Sequence, residues 1–180
     1  MGGKSERMGY LKENILMEDK RTFLQHITEE MSEFNFKFLS VNSERQYHID
    51  GWQTIVDTEN EIGPMGGIYS VLKAVPKEVK AVLFIAVDMP NYDFKEAHAI
   101  TQTYRGEDAF IAVAQGMRQP LASVYSPACI PVIEELIKAK NYKMTMLLNS
   151  VKSTEEYYSI RHACYRNVNS EEDLIYETKR

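Results

Sequence analysis

Asp88 is the residue whose position most demands an explanation. It directly follows the longest apolar run in the chain, Ala81 to Val87, and precedes Met89-Pro90, which stops a strand. An ionised carboxylate placed there is costly unless a cation or several donors lie close by. A Mg²⁺ ion held by one or two carboxylates and by substrate phosphates is one partner that fits. A carboxylate capping the next turn is the other reading. Four more polar residues end short apolar or β-rich runs: Asn42, Asp57, Asn167 and Asn169. In open α/β sheets, ligands bind beyond the carboxyl ends of the strands. If these runs are neighbouring strands, the five groups converge on one edge.

The start of the chain supplies the opposite charge. Residues 1–12 carry Gly2, Gly3 and Gly9 together with Lys4, Arg7 and Lys12. Backbone that approaches phosphate closely needs glycine, and Lys or Arg neutralises the oxygens. A frayed basic terminus would have the same composition. Gly3-Lys4-Ser5 mimics the end of a P-loop, but that motif runs straight into a helix, and Gly9 would interrupt it. A second glycine cluster, Gly63-Pro-Met-Gly-Gly67, leads into a helical pattern. It reads either as an ordinary tight turn or as a helix N-terminus open to a ring or phosphate.

These groups need elements to hold them. Residues 34–41, 52–56, 79–87, 109–114, 121–125 and 163–168 have the apolar or alternating character of strands. The run over 79–87 is almost continuously apolar, as for a strand buried on both faces of a parallel sheet. Thr22 and Gln25 form a capping box ahead of Phe23, Leu24, Ile27 and Met31 at helical spacing. Residues 67–75 and 131–139 are further helices, and Ser170 with Asp173 caps a last one. Strand and helix in alternation predict an α/β fold in one domain spanning 1–180, with a mostly parallel sheet.

Composition narrows the classes. The chain has 180 residues, 44% hydrophobic and 26% charged, which is globular and neither disordered nor coiled-coil. The longest apolar run falls far short of a membrane span, and no signal peptide is expected. Two cysteines far apart, Cys129 and Cys164, predict a reduced, cytoplasmic setting. A net charge of −5 argues against binding a nucleic-acid backbone, while leaving room for acidic small molecules.

Four motifs in order resemble the molybdenum cofactor guanylyltransferase family. The family loop Leu-Ala-Gly-Gly-x-Ser-x-Arg-Met-Gly, with a Lys shortly after, appears as residues 1–9 and Lys12. Its Gly-Pro-Leu-Ala-Gly turn appears as Gly63-Pro64-Met65-Gly66-Gly67, and its Asp-x-Pro strand end as Asp88-Met89-Pro90. Its Asn-x-Asn ending appears as Asn167-Val168-Asn169, and residues 119–125 resemble its Pro-Leu-x-Ala-Leu-Tyr stretch.

The resemblance implies a Rossmann-like three-layer sandwich of the nucleotidyltransferase type. It also implies transfer of GMP from GTP to the terminal phosphate of molybdopterin, with Mg²⁺ as cofactor and release of pyrophosphate. Gly2, Gly3 and Gly67 would then lie along the nucleotide, Lys12 would meet its phosphates, and Arg7 would join Lys12 and Asp88 as the catalytic residues. Asn42 and Asp57 would contact the guanosine, Asp88 would bind nucleotide and metal, and Asn167 and Asn169 would lie near the metal or the acceptor. Other proteins of cofactor biosynthesis or molybdoenzyme maturation are the expected partners. A cytidylyltransferase on the same cofactor and a catalytically silent nucleotide-binding homologue are the alternatives.

The chain departs from the pattern in three places. Leu11 stands where the family has Asp, and Met65-Gly66 stand for Leu-Ala. The family also has a strand before its Gly-Gly, whereas this sequence starts at Met1-Gly2, so a sheet lacking its first strand is expected.

Overall fold

The structure, a computed structural model, describes residues 12–42, 47–59, 62–158, 164–169 and 173. Seven strands are present among them: β1 (Phe38–Val41), β2 (Gln53–Val56), β3 (Val82–Ile85), β4 (Ala109–Ala114), β5 (Met117–Arg118), β6 (Ala122–Tyr125) and β7 (Ser153–Tyr158). Five helices accompany them: α1 (Phe23–Glu30), α2 (Pro64–Ala74), α3 (Phe94–Thr103), α4 (Ile130–Lys138) and α5 (Met144–Ser150). None is long and apolar enough to cross a membrane.

The expected alternation of strand and helix is there, but among the described residues the strands form two sheets, the larger partly antiparallel, rather than one mostly parallel sheet. β1 and β2 pair in parallel as a two-stranded sheet of their own. In the second sheet β6 lies between β3 and β4 and runs antiparallel to both, while β7 joins β4 in parallel. The short loop through Gln115 and Gly116, both at positive φ, lets β5 fold back on β4 and reverses the chain without a crossover.

Helices cover both faces of the larger sheet, giving the expected three layers. Alternation along β4 sends Phe110, Ala112 and Ala114 into one core with Ile27 of α1, Met31 just past that helix, and Ala97 and Ile100 of α3. Ala109 and Ile111 point the other way, toward Met65, Ile68 and Leu72 of α2, Ile133 of α4 and Leu147 of α5. Being packed on both sides, β4 is apolar at every position and wholly buried.

The longest apolar run behaves differently. Leu83 and Ile85 pack into the first core, Val82 and Phe84 into the second, yet every residue of β3 is only half-buried. With both faces covered and β6 on one side, the remaining exposure lies along the opposite edge of the strand. Val87, just beyond β3, packs instead with Leu24, Leu39 and Val41, the small core beneath β1. The carboxyl ends of β1 and β3 are thereby brought together.

Several boundaries differ from the sequence expectation. The capping box forms as read: Gln25 N donates to Thr22 Oγ1 at 3.1 Å, and Thr22 N donates to Gln25 Oε1 at 2.8 Å. α2 begins at Pro64 rather than residue 67, because proline fits the first helical turn and Gly63 at φ 65° supplies the cap. The described part of the strand expected at 163–168, residues 164–168, is irregular chain. Parallel pairing to β4 falls instead to β7, whose Ser-Thr-Glu-Glu-Tyr-Tyr sequence carries too little apolar character to be recognised. Of the expected last helix only Asp173 lies within the described residues, and it is helical.

Candidate active site

Two groups of polar side chains sit at the carboxyl ends of the strands. The first is centred on Lys12. Its Nζ donates to Asp88 Oδ2 at 2.8 Å and to Asn169 Oδ1 at 2.6 Å. The structure thus joins three residues that the sequence singled out separately.

Each of the three is held by its own surroundings. Lys12 opens a 3-10 turn, Lys12–Asn14, whose Glu13 is buried and accepts a 2.7 Å hydrogen bond from Tyr47 Oη. Backbone bonds from Phe23 N to Ile15 O and from Met17 N to Arg21 O dock this turn on the start of α1. Asp88 lies in the turn after β3, where Met89 N donates to Ala86 O at 3.1 Å. The backbone carbonyl of Asp88 accepts from Val168 N at 2.8 Å, so residues 164–169 are stitched to the same turn.

That segment is anchored from below. Val168 is fully buried, and Tyr165, also buried, donates to Glu96 Oε1 in the first turn of α3 at 2.5 Å. The Tyr165 ring meets Tyr92 edge-on at 5.5 Å, and burial pushes its hydroxyl far above the usual tyrosine range, so it remains a donor. Asp173 receives Asn169 N at 2.9 Å. Arg166, Asn167 and Asn169 are left facing solvent. Asn167 is thus an exposed residue of this segment, while Lys12 is bonded to Asn169.

The second group lies where β1 and β2 meet α2. Asp57 extends the ladder of β2, its N donating to Val41 O at 2.8 Å, and its Oδ1 accepts from Ser40 Oγ at 2.6 Å. Burial pushes the Asp57 carboxyl up, while the Ser40 hydrogen bond opposes the shift. Ser70 of α2 accepts from Thr58 N at 2.8 Å and pins the next residue to the helix. A Cβ on Gly67 would lie only 2.6 Å from Ser40 Oγ, so glycine here is required by the serine–aspartate pair itself. The space that Gly67 leaves open is filled from within the protein. Gly66 is similarly constrained, with the Glu59 carbonyl oxygen 2.8 Å from its would-be Cβ.

Asn42 follows β1 directly, and its buried Oδ1 has no hydrogen-bond partner among the described residues. Such an orphaned acceptor normally finds a donor from water or a ligand. Gly2, Gly3 and Arg7 lie outside the described residues.

Sequence reasoning missed Ser40, Tyr47, Glu96 and Tyr165. Ser40 had the one available signal, a hydroxyl two residues before Asn42 in an alternating strand. The others act across long sequence separations that no local pattern encodes.

The chemistry of the Lys12 group suits a hard cation and phosphate. A carboxylate and an amide oxygen are the oxygen donors that Mg²⁺ or Mn²⁺ selects. Among the described residues, no three His, Cys, Asp or Glu side chains converge as a metal cage. A cation at Asp88 would therefore complete its shell with substrate phosphate and water, the usual habit of Mg²⁺.

Comparison with known proteins places the chain in a family and a fold. The MobA-like NTP transferase domain matches residues 1–155. A probable molybdenum cofactor guanylyltransferase from Clostridium perfringens is 27% identical over 158 residues, covering 87% of this chain and 79% of that protein. The crystal structure of molybdopterin-guanine dinucleotide biosynthesis protein A from Archaeoglobus fulgidus superposes with a TM-score of 0.79 at 20% identity, over 97% of this chain and 92% of that one. A Mycobacterium tuberculosis protein crystallised in complex with manganese superposes with a TM-score of 0.61 at 12% identity, over 85% and 84% of the two chains.

Proposed function

Because this chain belongs to the MobA-like NTP transferase family, we propose that it transfers GMP from GTP to the terminal phosphate of molybdopterin, releasing pyrophosphate. The observation that carries the reading is the meeting of Lys12, Asp88 and Asn169 at the ends of the strands. It gives one cation for a phosphate chain and two oxygens for a metal at the same point.

In this reaction a terminal phosphate oxygen of the acceptor attacks the α-phosphorus of GTP. The bond from that phosphorus to the bridging oxygen of the β-phosphate breaks, and pyrophosphate leaves with the electron pair. No covalent enzyme intermediate is required. The protein's contribution is to align the two phosphates and to neutralise the charge spreading over the oxygens.

Lys12 pairs with phosphate oxygens, and Asp88 with Asn169 holds Mg²⁺. The bound ion supplies Lewis-acid stabilisation of the transferring phosphoryl group. Gly2, Gly3 and Arg7 line the triphosphate, and Asn167 faces the acceptor.

Asn42 and Asp57 read the nucleoside. A carboxylate accepts from the paired N1–H and N2–H₂ donors of guanine, an edge that cytosine lacks, and Asn42 Oδ1, without a partner among the described residues, is a further acceptor. Gly67 acts indirectly, by letting Ser40 hold Asp57 in place.

Pyrophosphate release with molybdopterin, measured under GTP, under CTP and without nucleotide, tests the assignment. Release with GTP alone supports it. Equal or greater release with CTP makes the protein a cytidylyltransferase, and none with either nucleotide refutes catalysis.

A further inference from the structure

The metal assignment above, on which this inference rests, gives Asp88 and Asn169 to a divalent cation. In the structure their oxygens are engaged by the protein's own cation. Lys12 Nζ stands 2.8 Å from Asp88 Oδ2 and 2.6 Å from Asn169 Oδ1. A metal bound by the same two oxygens would sit against that ammonium, and a divalent ion repels it with twice the force of a unit charge. Lys12 and the metal therefore compete for one place.

The pair is built to be exchangeable. The side chains of Lys12 and Asp88 are 22% and 19% exposed. A pair fully sealed from water would be very costly to break by removing one partner, whereas a wholly exposed one would hardly be occupied. The backbone carbonyl of Lys12 accepts from Ile15 N at 3.2 Å within the turn, so only its flexible four-carbon stem need move.

We propose that Lys12 is an internal counter-ion that closes the Asp88–Asn169 metal site in the nucleotide-free protein, and that the triphosphate opens the site by drawing the ammonium onto its own oxygens. The nucleotide thus performs two tasks at once. It gives Lys12 new anionic partners and leaves Asp88 and Asn169 free for the cation. Metal and nucleotide then bind with positive cooperativity, and by linkage each strengthens the other by the same factor.

The distinguishing consequence has an unusual sign, because removing a positive residue of the phosphate site should improve metal binding. Mn²⁺ titrations of the whole protein without nucleotide, followed by electron paramagnetic resonance, measure this directly. Lys12→Met should bind Mn²⁺ about tenfold more tightly than the wild type, the factor equivalent to about 1.4 kcal/mol of relieved competition. Its GTP affinity should fall in the same preparation.

Adding GTP should tighten Mn²⁺ binding strongly in the wild type and much less in the variant. Lys12→Gln serves as a second variant should the first fail to fold. If the Lys12 variants bind Mn²⁺ no better than the wild type while Asp88→Asn weakens it, the counter-ion role is overturned and the metal assignment stands. If Asp88→Asn leaves Mn²⁺ affinity unchanged in both backgrounds, the metal assignment itself falls, and the exchange with it.

Discussion

Replacing Gly67 with alanine turns the contact between α2 and the Ser40–Asp57 pair into a measurable quantity. A Cβ at residue 67 would stand 2.6 Å from Ser40 Oγ, but 3.6 Å from Ser40 Cβ and 3.7 Å from Asp57 Oδ1. Of these three atoms only the hydroxyl is too close. α2 cannot retreat, because Met65 and Ile68 on either side of the glycine are locked in the core. Ser40 must turn away and release Asp57. A hydrogen bond to a charged group is worth about 1.5–3 kcal/mol, and alanine in place of glycine inside a helix returns about 1 kcal/mol. Gly67→Ala should therefore destabilise the protein by about 0.5–2 kcal/mol, the difference of those two effects.

In a Ser40→Ala background the obstructing oxygen is gone, and the same change should stabilise by about 1 kcal/mol. Urea denaturation of the wild type, both single variants and the double variant closes the cycle, with an expected coupling of about 1.5–3 kcal/mol. Gly66→Ala is the control. Its Cβ would meet the Glu59 backbone oxygen at 2.8 Å, which Ser40→Ala does not relieve, so its cost should be equal in both backgrounds. A Gly67→Ala cost that is unchanged by removing the Ser40 hydroxyl would refute the steric argument.

Three further outcomes follow from the geometry. Asp88→Asn should fold normally yet lose about a thousandfold in turnover if the charge contributes about 4 kcal/mol at the transition state; retention of a third or more of wild-type rate removes the metal role. Burial holds the Asp57 carboxyl above its ordinary value of 3.8, so the stability gained from its protonated form is complete below that value and is lost as pH rises through the folded pKa. Asp57→Asn should flatten this decline and raise the melting temperature at pH 7 while weakening GTP binding; identical pH–stability curves contradict it. Tyr165→Phe keeps the ring against Tyr92 but removes a donor from buried Glu96, at about 1–3 kcal/mol. Amide exchange should then quicken at Val168 with β4 unaffected, and uniform loss of protection would mean the tyrosine serves the core alone.

Much of the site was legible because its residues sit where chain direction changes. An acid after an apolar run, Asp88, and polar residues closing β1 and β2 could be marked from composition and order alone. The capping box of α1 was equally local, and it formed as read. What escaped notice depends on distance. Glu96 and Tyr165 meet across 69 positions, and Tyr47 reaches Glu13 across 34. Neither pairing leaves a periodic trace. β7 was hidden by its charges, since a sheet-edge strand needs no continuous apolar run, and irregular residues 164–168 mimicked a strand because Cys164, Tyr165 and Val168 are buried for another purpose. The glycines at 66 and 67 were noticed for their freedom to admit a ligand, whereas the structure explains them by the protein's own atoms.

The bond from Lys12 to Asn169 spans 157 positions in the chain, and that span has a consequence for how the protein matures. Closing a loop of such length costs roughly 4–5 kcal/mol of chain entropy before any constant term, more than one partly exposed hydrogen bond returns. The contact cannot lead folding. It must wait until β4, its neighbours and the Tyr165 anchor have already brought the two ends of the molecule together. On refolding, helical and sheet content should return first, and competence to bind nucleotide should lag behind. Displacing residues 164–169 should likewise silence the protein without unfolding its sheets, because the last part of the structure to assemble is also the part that the proposed chemistry uses.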